Sequence, residues 1–366
     1  MVIGIDGNEA NVEHQVGVSV YTSRLLYHFS QLANENEQFV VYLRKKPIAS
    51  LPKENDYFKY VVVNGSFLWS QIFLPLELYL HNQIDIFFAP AHYAPRYCPV
   101  PIVVTIHDLS YFYFPNEFLK KDLYQLKNWT AYSVKKAKRL IAVSKTTKKD
   151  IVKWYGIPDS QIDIVYNGFE KKIDRDEPVT VLDKYNLHEN QYILYVGTIQ
   201  PRKNLKTLIK AFGIFTKTNP GYKLVLTGKK GWLYDETLEA AQEQLKTKEI
   251  VITGYETDEN VIELYKHAFC YCLPSLYEGF GIPVLEAMSN SCPVITSHSS
   301  SLPEIGGDAC LYFNPQDEKD LVEKFEQLQQ NEQLRKDLIK KGKERATLFS
   351  WKKCAVETLD VIRYSL

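Results

Sequence analysis

The feature that most constrains the fold is a repeated alternation of short apolar runs with segments of helical periodicity. Several runs are apolar at consecutive positions rather than at every second one, which is typical of parallel strands buried on both faces. Between runs, apolar residues recur at three- and four-residue steps, first at Val18, Tyr21 and Leu25. The first half is therefore predicted to contain strands at 2–5, 39–43, 60–63, 84–89, 102–106, 139–143 and 162–166.

A second alternating series follows a charged segment, 171–178, that ends in Pro178 as a linker would. The length of 366 residues is enough for two cores. We predict an α/β fold of two tandem Rossmann-like, doubly wound domains, 1–172 and 185–346, with the active site in the cleft between them. The second series predicts strands at 192–196, 223–227, 250–253, 270–273, 293–296 and 309–313, and helices near 203–216, 235–246, 258–267, 283–290 and 317–346.

The compartment expected from the sequence is the cytoplasm. The chain starts with a strand-like run rather than a signal-peptide pattern, and no apolar run reaches 18 residues. None of the six cysteines forms a CxxC pair, so reduced thiols are expected. Cys270 and Cys272 lie two apart on a predicted strand, where core packing is favoured over metal binding.

The formal net charge of zero is a cancellation between two halves. Residues 1–172 carry 20 Lys+Arg against 16 Asp+Glu, and the remainder carries 24 against 28. Segment 120–153 holds eleven basic residues against Asp122 and Asp150, interleaved with aromatic residues. Such a face suits a peripheral contact with an anionic membrane, and a solvated helix face is the alternative. No motif supports a nucleic-acid partner.

In the first half, two predicted element ends carry residues of interest. Gly17 directly precedes the first helix, where it either lets the backbone approach an anion or is an ordinary turn glycine. His107 and Asp108 follow the run 102–106. His107 can polarise a hydroxyl or carbonyl group at a cleft, or its ring is simply satisfied by local hydrogen bonds.

In the second half, the adjacent cations Arg202 and Lys203 lie between a strand and a helix. That position suits a diphosphate, because helix N–H groups are also available there. Further on, a strand leads through a glycine-rich loop into a helix, with Glu278 in the loop and Glu286 in the helix. Carboxylates accept well from sugar or ribose hydroxyls, and the backbone of 279–282 can donate N–H groups.

The segment from Glu278 to Glu286 resembles the E-x7-E motif of retaining, nucleotide-sugar-dependent glycosyltransferases of family 4, which have the GT-B fold. The similarity extends along most of the chain. It includes the Gly17 loop, the Thr-Ile-His-Asp-Leu run at 105–109, Val-Tyr-Asn-Gly at 165–168, 196–204 and Ser-Leu-Pro-Glu at 301–304. Residues 349–352 resemble the final helix of the family. Residues 347–366 are therefore expected to form a helix that returns to the N-terminal domain.

The resemblance implies a role for each candidate residue. Arg202 and Lys203 would hold the donor diphosphate, and Glu286 the ribose hydroxyls. The donor sugar would be held by Glu278 and the backbone of Phe280, Gly281 and Ile282; His107 would lie near sugar and acceptor, and the Gly17 loop would close over the phosphates. Many members carry an arginine where this chain has Thr198. In this chain the donor diphosphate would therefore be held mainly by Arg202 and Lys203.

The resemblance also implies the reaction. A front-face displacement would transfer a hexose with retention, without cofactor or metal, and the only DxD, 174–176, is interpreted as solvated charge in the linker. Segment 226–232 resembles mannosyl- and rhamnosyltransferases of polysaccharide assembly. GDP-mannose would be the first choice of donor and a UDP-hexose the second choice. The acceptor would be a glycan or a lipid-linked molecule. A non-catalytic nucleotide-sugar-binding scaffold and a GT-B sugar-nucleotide epimerase are the alternatives.

Overall fold

A computed structural model describes residues 1–15, 17–65, 68–170, 180–231 and 249–366. The chain divides into two compact units. The first comprises Met1–Tyr113, Leu119–Gly168 and Phe349–Leu366, and the second comprises Phe114–Phe118 and Phe169–Leu348. The predicted linker 171–178, with its DxD, and the predicted helix 235–246 lie outside the described residues.

The first unit contains, in its described residues, a seven-stranded parallel sheet of order β3-β2-β1-β4-β5-β6-β7. The strands are β1 (Val2–Asp6), β2 (Gln38–Leu43), β3 (Phe58–Val62), β4 (Ile86–Ala89), β5 (Ile102–Ile106), β6 (Arg139–Ala142) and β7 (Ile162–Ile164). Its first helices are α1 (Val18–Leu32), α2 (Phe73–Leu80), α3 (Ser110–Tyr113), α4 (Lys120–Lys136) and α5 (Lys145–Tyr155). The apolar runs of the sequence therefore form strands; β4 and β5 are buried at every position, whereas β3 is half-buried or exposed after Phe58.

The second unit contains, over the same described ranges, a six-stranded parallel sheet of order β10-β9-β8-β11-β12-β13. Its strands are β8 (Tyr192–Val196), β9 (Lys223–Thr227), β10 (Ile250–Gly254), β11 (Cys270–Leu273), β12 (Val294–Ser297) and β13 (Cys310–Phe313). Its described helices are α6 (Thr180–Lys184), α7 (Leu205–Thr218), α8 (Asp258–His267), α9 (Ile282–Ser289), α10 (Leu302–Gly306), α11 (Glu318–Gln330) and α12 (Glu332–Ala346). Cys270 and Cys272 are fully buried in this sheet, as core packing requires.

The single helix predicted at 317–346 is wrong, because α11 and α12 are separate helices. Asn331 lies between them with a non-helical backbone, φ −128° and ψ 87°. Its side-chain oxygen accepts a hydrogen bond from the Leu334 N–H at 2.9 Å and so caps α12. The segment contains no proline and no glycine at the break, which is why its helical periodicity concealed the interruption.

The last helix, α13 (Trp351–Arg363), belongs to the first unit and packs against α1 and β6. Ser350 caps it by accepting from the Lys353 N–H at 3.2 Å. The helix begins against Gly168, where a Cβ atom would lie 2.2 Å from the backbone nitrogen of Trp351. This backbone-to-backbone approach requires glycine.

The strand order places a crevice at one point of each sheet. In both units the order reverses beside the first strand, between β1 and β4 and between β8 and β11. Ligands of doubly wound sheets bind outside the carboxyl ends of the strands at such switch points. None of the described helices is long and apolar enough to cross a membrane.

Candidate functional site

In the second unit, the loops after β8 and β11 form a compact charge cluster around Glu278. The Lys203 Nζ atom lies 2.5 Å from Glu278 Oε1, and the Arg202 Nη1 atom lies 3.9 Å from Oε2. The Ser275 hydroxyl donates to Oε1 at 2.6 Å. All three charged side chains are less than a fifth exposed. The structure thus brings the cation pair Arg202 and Lys203 together with Glu278, which was predicted from a different segment, and it places all three at the β8–β11 switch point.

The charges of this cluster determine its ionisation. Burial by itself raises the pKa of Glu278, but the Lys203 and Arg202 charges and the hydrogen bonds from Lys203 and Ser275 hold that pKa below its usual value. Glu278 is therefore ionised at neutral pH, and the three side chains carry a net charge of +1. Because both cations already face Glu278, an anionic ligand at this point would share them with the carboxylate.

Asn204 fixes the loop that carries the two cations. Its backbone is left-handed, with φ 57°, and it directly precedes α7. Its side-chain amide donates to the carbonyl oxygens of Pro274 at 3.1 Å and Pro315 at 2.8 Å. Asn204 was not among the site residues predicted from the sequence, although asparagine is one of the few side chains that tolerate this backbone conformation. Arg202 is fixed as well, because its Nη1 donates to the Tyr277 carbonyl oxygen at 2.9 Å.

The start of α9 supplies backbone donors beside this cluster. Gly281 precedes the helix with φ 113°, and the N–H groups of Gly281 and Ile282 donate to no protein acceptor within the described ranges. The Phe280 carbonyl oxygen accepts from the Ser301 hydroxyl at 2.8 Å, which holds the loop in place. An α-helix N-terminus with available N–H groups favours an anion. Glu286 lies further along α9, where the Tyr265 hydroxyl donates to its Oε2 at 3.4 Å.

In the first unit, His107 follows β5 and its ring is held from several sides. Its Nε2 lies 2.8 Å from the Pro90 carbonyl oxygen, so this nitrogen carries the proton and Nδ1 carries the lone pair. The Tyr21 ring packs edge-on at 4.7 Å. Burial and the neighbouring His92 lower the pKa of His107 to about 4. His107 is therefore neutral at physiological pH and offers a hydrogen-bond acceptor.

His92 was missed by the sequence analysis. Its ring centroid lies 5.6 Å from that of His107, its backbone is left-handed with φ 37°, and burial lowers its pKa. Its buried Nδ1 has no hydrogen-bond partner within the described part of the chain. A lone histidine in a loop gave no pattern that could have identified it.

The structure also describes three other positions named from the sequence, Gly17, Asp108 and Thr198. Gly17 directly precedes α1 with φ 52°, and a Cβ atom there would meet no other atom within 4 Å, so the backbone angle is what favours glycine. Asp108 accepts hydrogen bonds from the Ser110 N–H at 2.9 Å and hydroxyl at 2.8 Å, which starts α3. Thr198 is exposed after β8. No group of three His, Cys, Asp or Glu side chains suited to a metal occurs among the described residues.

Two doubly wound parallel units in one chain define the GT-B architecture of glycosyltransferases. Two family models match, "Glycosyltransferase Family 4" over residues 17–172 and "Glycosyl transferases group 1" over residues 182–345. The chain is 32% identical to O-antigen chain mannosyltransferase B of Escherichia coli, over 76% of this chain and 74% of that protein. It therefore belongs to the family 4 glycosyltransferases with the GT-B fold, as its motifs indicated.

Further comparisons agree. O-antigen chain mannosyltransferase RfbU of Salmonella typhimurium is 32% identical over 59% of this chain and 57% of that protein. Sucrose-phosphate synthase from Thermosynechococcus elongatus superposes with a TM-score of 0.78 over 99% of this chain and 98% of that chain, at 17% identity. WaaG, a glycosyltransferase involved in lipopolysaccharide biosynthesis, gives 0.73 over 99% of both chains at 16% identity. These two structures share the fold of this chain.

Proposed function

We propose that this glycosyltransferase of glycan assembly moves a hexose, with retention of configuration, from a nucleoside diphosphate sugar to a glycan or lipid-linked acceptor. GDP-mannose is the first donor proposed and a UDP-hexose the second. The observation that carries the proposal is the buried Arg202–Glu278–Lys203 cluster beside the N-terminus of α9. Mannose is supported by the names of the relatives in Escherichia coli and Salmonella typhimurium.

The proposed role of the cluster follows from where charge develops. As the bond to the sugar breaks, the leaving nucleoside diphosphate gains negative charge, and fixed cations and N–H groups stabilise it. Arg202 and Lys203 would face the diphosphate, with the N–H groups of Gly281 and Ile282. Glu278 would accept from the sugar hydroxyls. Glu286 would accept from the ribose, and the Gly17 loop would cover the phosphates.

The proposed transfer step uses no metal and no nucleophilic carboxylate. The acceptor hydroxyl would attack the side of the sugar that the diphosphate leaves, and its proton would pass to the departing phosphate oxygen. The sugar would resemble an oxocarbenium ion at that point. Neutral His107, through the Nδ1 lone pair, would accept a hydrogen bond from the acceptor or the sugar. Arg202 and Lys203 would supply the positive charge.

A thermal-shift screen tests the donor. We expect GDP and GDP-mannose to raise the melting temperature more than UDP-, ADP- or TDP-glucose, because at equal concentration the ligand with the lowest Kd stabilises the folded state most. A ligand at a concentration of 100 Kd stabilises the folded state by about 2.7 kcal/mol. An increase in melting temperature with UDP-sugars alone would indicate that the donor is a UDP-hexose rather than GDP-mannose. No shift with any of these nucleotides would contradict the proposed function.

Product analysis by NMR separates the reaction from its alternatives. An α-linked product from an α-linked donor indicates retention, and addition of EDTA should leave the rate unchanged. Conversion of the donor sugar without an acceptor would identify an epimerase. Donor binding without turnover across an acceptor panel would identify a scaffold.

We also propose that the first unit contacts the inner face of an anionic membrane. Lys135, Lys136 and Lys138 are exposed in and after α4. Two other cations of the basic segment are neutralised by acidic residues beyond it, because Arg139 pairs with Asp163 at 2.6 Å and Lys148 with Asp159 at 2.9 Å. The basic surface is therefore smaller than the residue count suggests. Support also comes from an exposed apolar stripe on and just before α2, which comprises Ile72, Leu76, Tyr79 and Leu80.

Liposome co-sedimentation tests the membrane contact. Reversing Lys135, Lys136 and Lys138 to glutamate should weaken binding to anionic vesicles at least tenfold, since each nearby lysine contributes about 1 kcal/mol. Added salt should weaken wild-type binding as well. The matched control reverses three exposed lysines of the second unit, Lys319, Lys340 and Lys343. Equal binding to neutral and anionic vesicles would count against the proposal.

A further inference from the structure

A cavity of about 540 Å³ opens at the switch point of the first unit, between the carboxyl ends of β1 and β4. Asp6, the last residue of β1, and Pro90, the residue after β4, both line it. The volume is within the range of sites for small molecules, roughly 300–1,000 Å³. Its position corresponds to that of the charge cluster in the second unit, which lies at the other sheet's switch point.

One wall of the cavity presents a fixed carboxyl group. Asp6 Oδ1 accepts from the Asn8 backbone N–H at 3.1 Å and from its side-chain amide at 2.8 Å. Asn8 is itself held, because its Oδ1 accepts from the Arg44 N–H at 2.8 Å. Asp6 Oδ2 makes no hydrogen bond in the described part of the protein. One carboxyl oxygen of Asp6 is thus available to a ligand. Burial together with the Glu9 charge raises the pKa of Asp6 to about 6.

Three aromatic side chains also line the cavity. Trp129 of α4 and Tyr93 pack edge to face, with centroids 5.7 Å apart and planes at 77°. The third ring is that of Trp69, whose orientation is fixed by a 2.7 Å hydrogen bond from Nε1 to the Val63 carbonyl oxygen. A lining that combines flat apolar rings with carboxyl oxygens suits a pyranose, which has apolar C–H faces and a rim of hydroxyl donors.

The charges of the lining favour a neutral ligand. Asp6 and Glu9 are matched by Arg44 and Lys45, so these four charged side chains sum to zero at neutral pH when the carboxyls are ionised. A phosphate would meet two carboxyl groups here, whereas the cluster of the second unit carries a net positive charge. The two switch points therefore differ in the ligand that they suit.

The cavity is joined to the candidate catalytic histidine through its own wall. Pro90 lines the cavity, and its carbonyl oxygen is the acceptor for His107 Nε2 at 2.8 Å. A sugar in the cavity would thus lie next to the element that orients His107.

We propose that this cavity binds a neutral sugar residue of the acceptor glycan, packed against Trp129 and Tyr93, with its hydroxyls donating to Asp6 and Glu9. The identity of the ligand as acceptor rests on the proposed function. The binding of a sugar can be measured without any donor, so the two can fail separately.

The test uses saturation-transfer NMR on the full chain without nucleotide. The probes are mannotriose, maltotriose and tri-N-acetylchitotriose. We expect one of them to bind wild type, to bind at least about tenfold more weakly to Trp129→Ala, and to bind normally to the control Trp154→Ala, whose ring lies outside the cavity. Asp6→Asn keeps the shape and an acceptor for Asn8, and it should also weaken binding.

Donor-dependent kinetics complete the test. The Trp129→Ala and Asp6→Asn variants should raise the KM for the acceptor while the donor-induced thermal shift stays at its wild-type value. Absence of sugar binding across the probes, or equal binding by wild type and both variants, would overturn the cavity assignment. A wild-type chain that binds the sugar but responds to no nucleotide would instead contradict the proposed function.

Discussion

Replacing Lys203 with alanine is expected to lower donor turnover by roughly 10²–10³-fold, the usual cost of removing one preorganised charge-stabilising group. The substitution removes a cation that lies 2.5 Å from Glu278. The pKa of Glu278 should then rise relative to wild type, because the Lys203 charge and hydrogen bond no longer lower it, although those of Arg202 and Ser275 remain. Turnover of the variant should therefore fall at a higher pH than that of wild type as the solution is acidified.

Steady-state kinetics with the donor found in the thermal-shift screen measures this effect. Lys206→Ala is the matched control, because Lys206 is an exposed lysine on α7 three residues further along the chain. Glu286→Ala should be nearly as inactive as Lys203→Ala if Glu286 holds the ribose. Full turnover in both variants, with folding intact by circular dichroism, would contradict the assignment of the donor site.

Replacing Trp351 with alanine is expected to lower the free energy of unfolding of the first unit by about 3–5 kcal/mol. Trp351 is buried at the start of α13, where its ring lies 6.2 Å from that of Tyr21 on α1. Gly168→Ala should destabilise the same contact by a different route, since its Cβ atom would lie 2.2 Å from the Trp351 nitrogen. Backbone atoms cannot move aside as a flexible side chain can.

Urea unfolding measures these changes, and Tyr364→Ala is the control because that ring is 84% exposed just beyond α13. Nucleotide binding should persist in the Trp351 variant under conditions where it remains folded, since the residues of the charge cluster lie in the second unit. A midpoint for Trp351→Ala equal to that of Tyr364→Ala would show that α13 contributes little to stability.

Strands such as β4 and β5 were predictable because they are runs of apolar residues buried at every position, a pattern that is visible without tertiary information. The break between α11 and α12 at Asn331 was not predictable, because an asparagine between two amphipathic helices departs little from helical periodicity. The sequence also indicated Lys203 and Glu278 but not their contact. They are 75 residues apart, and they meet because β8 and β11 are neighbours in the sheet, although two strands intervene in sequence.

Asp6 illustrates a different limit of sequence interpretation. It is the last residue of β1, and in sequence it is simply an acidic residue at the end of an apolar run. What distinguishes it is the cavity, whose walls come from Trp69, Tyr93 and Trp129 in segments far apart along the chain. No local spacing relates these residues, so only the folded sheet brings them to one place.

The return of α13 to the first unit has a consequence for synthesis of the protein. Ribosomes make the amino-terminal side first, yet the helix that packs on α1 and β6 lies in Phe349–Leu366, which follows the second unit in sequence. The second unit is nearly contiguous and can fold as soon as it emerges, whereas the first unit can be completed only after the second has been made. Of the two units, the one whose synthesis begins first is therefore the last to finish folding.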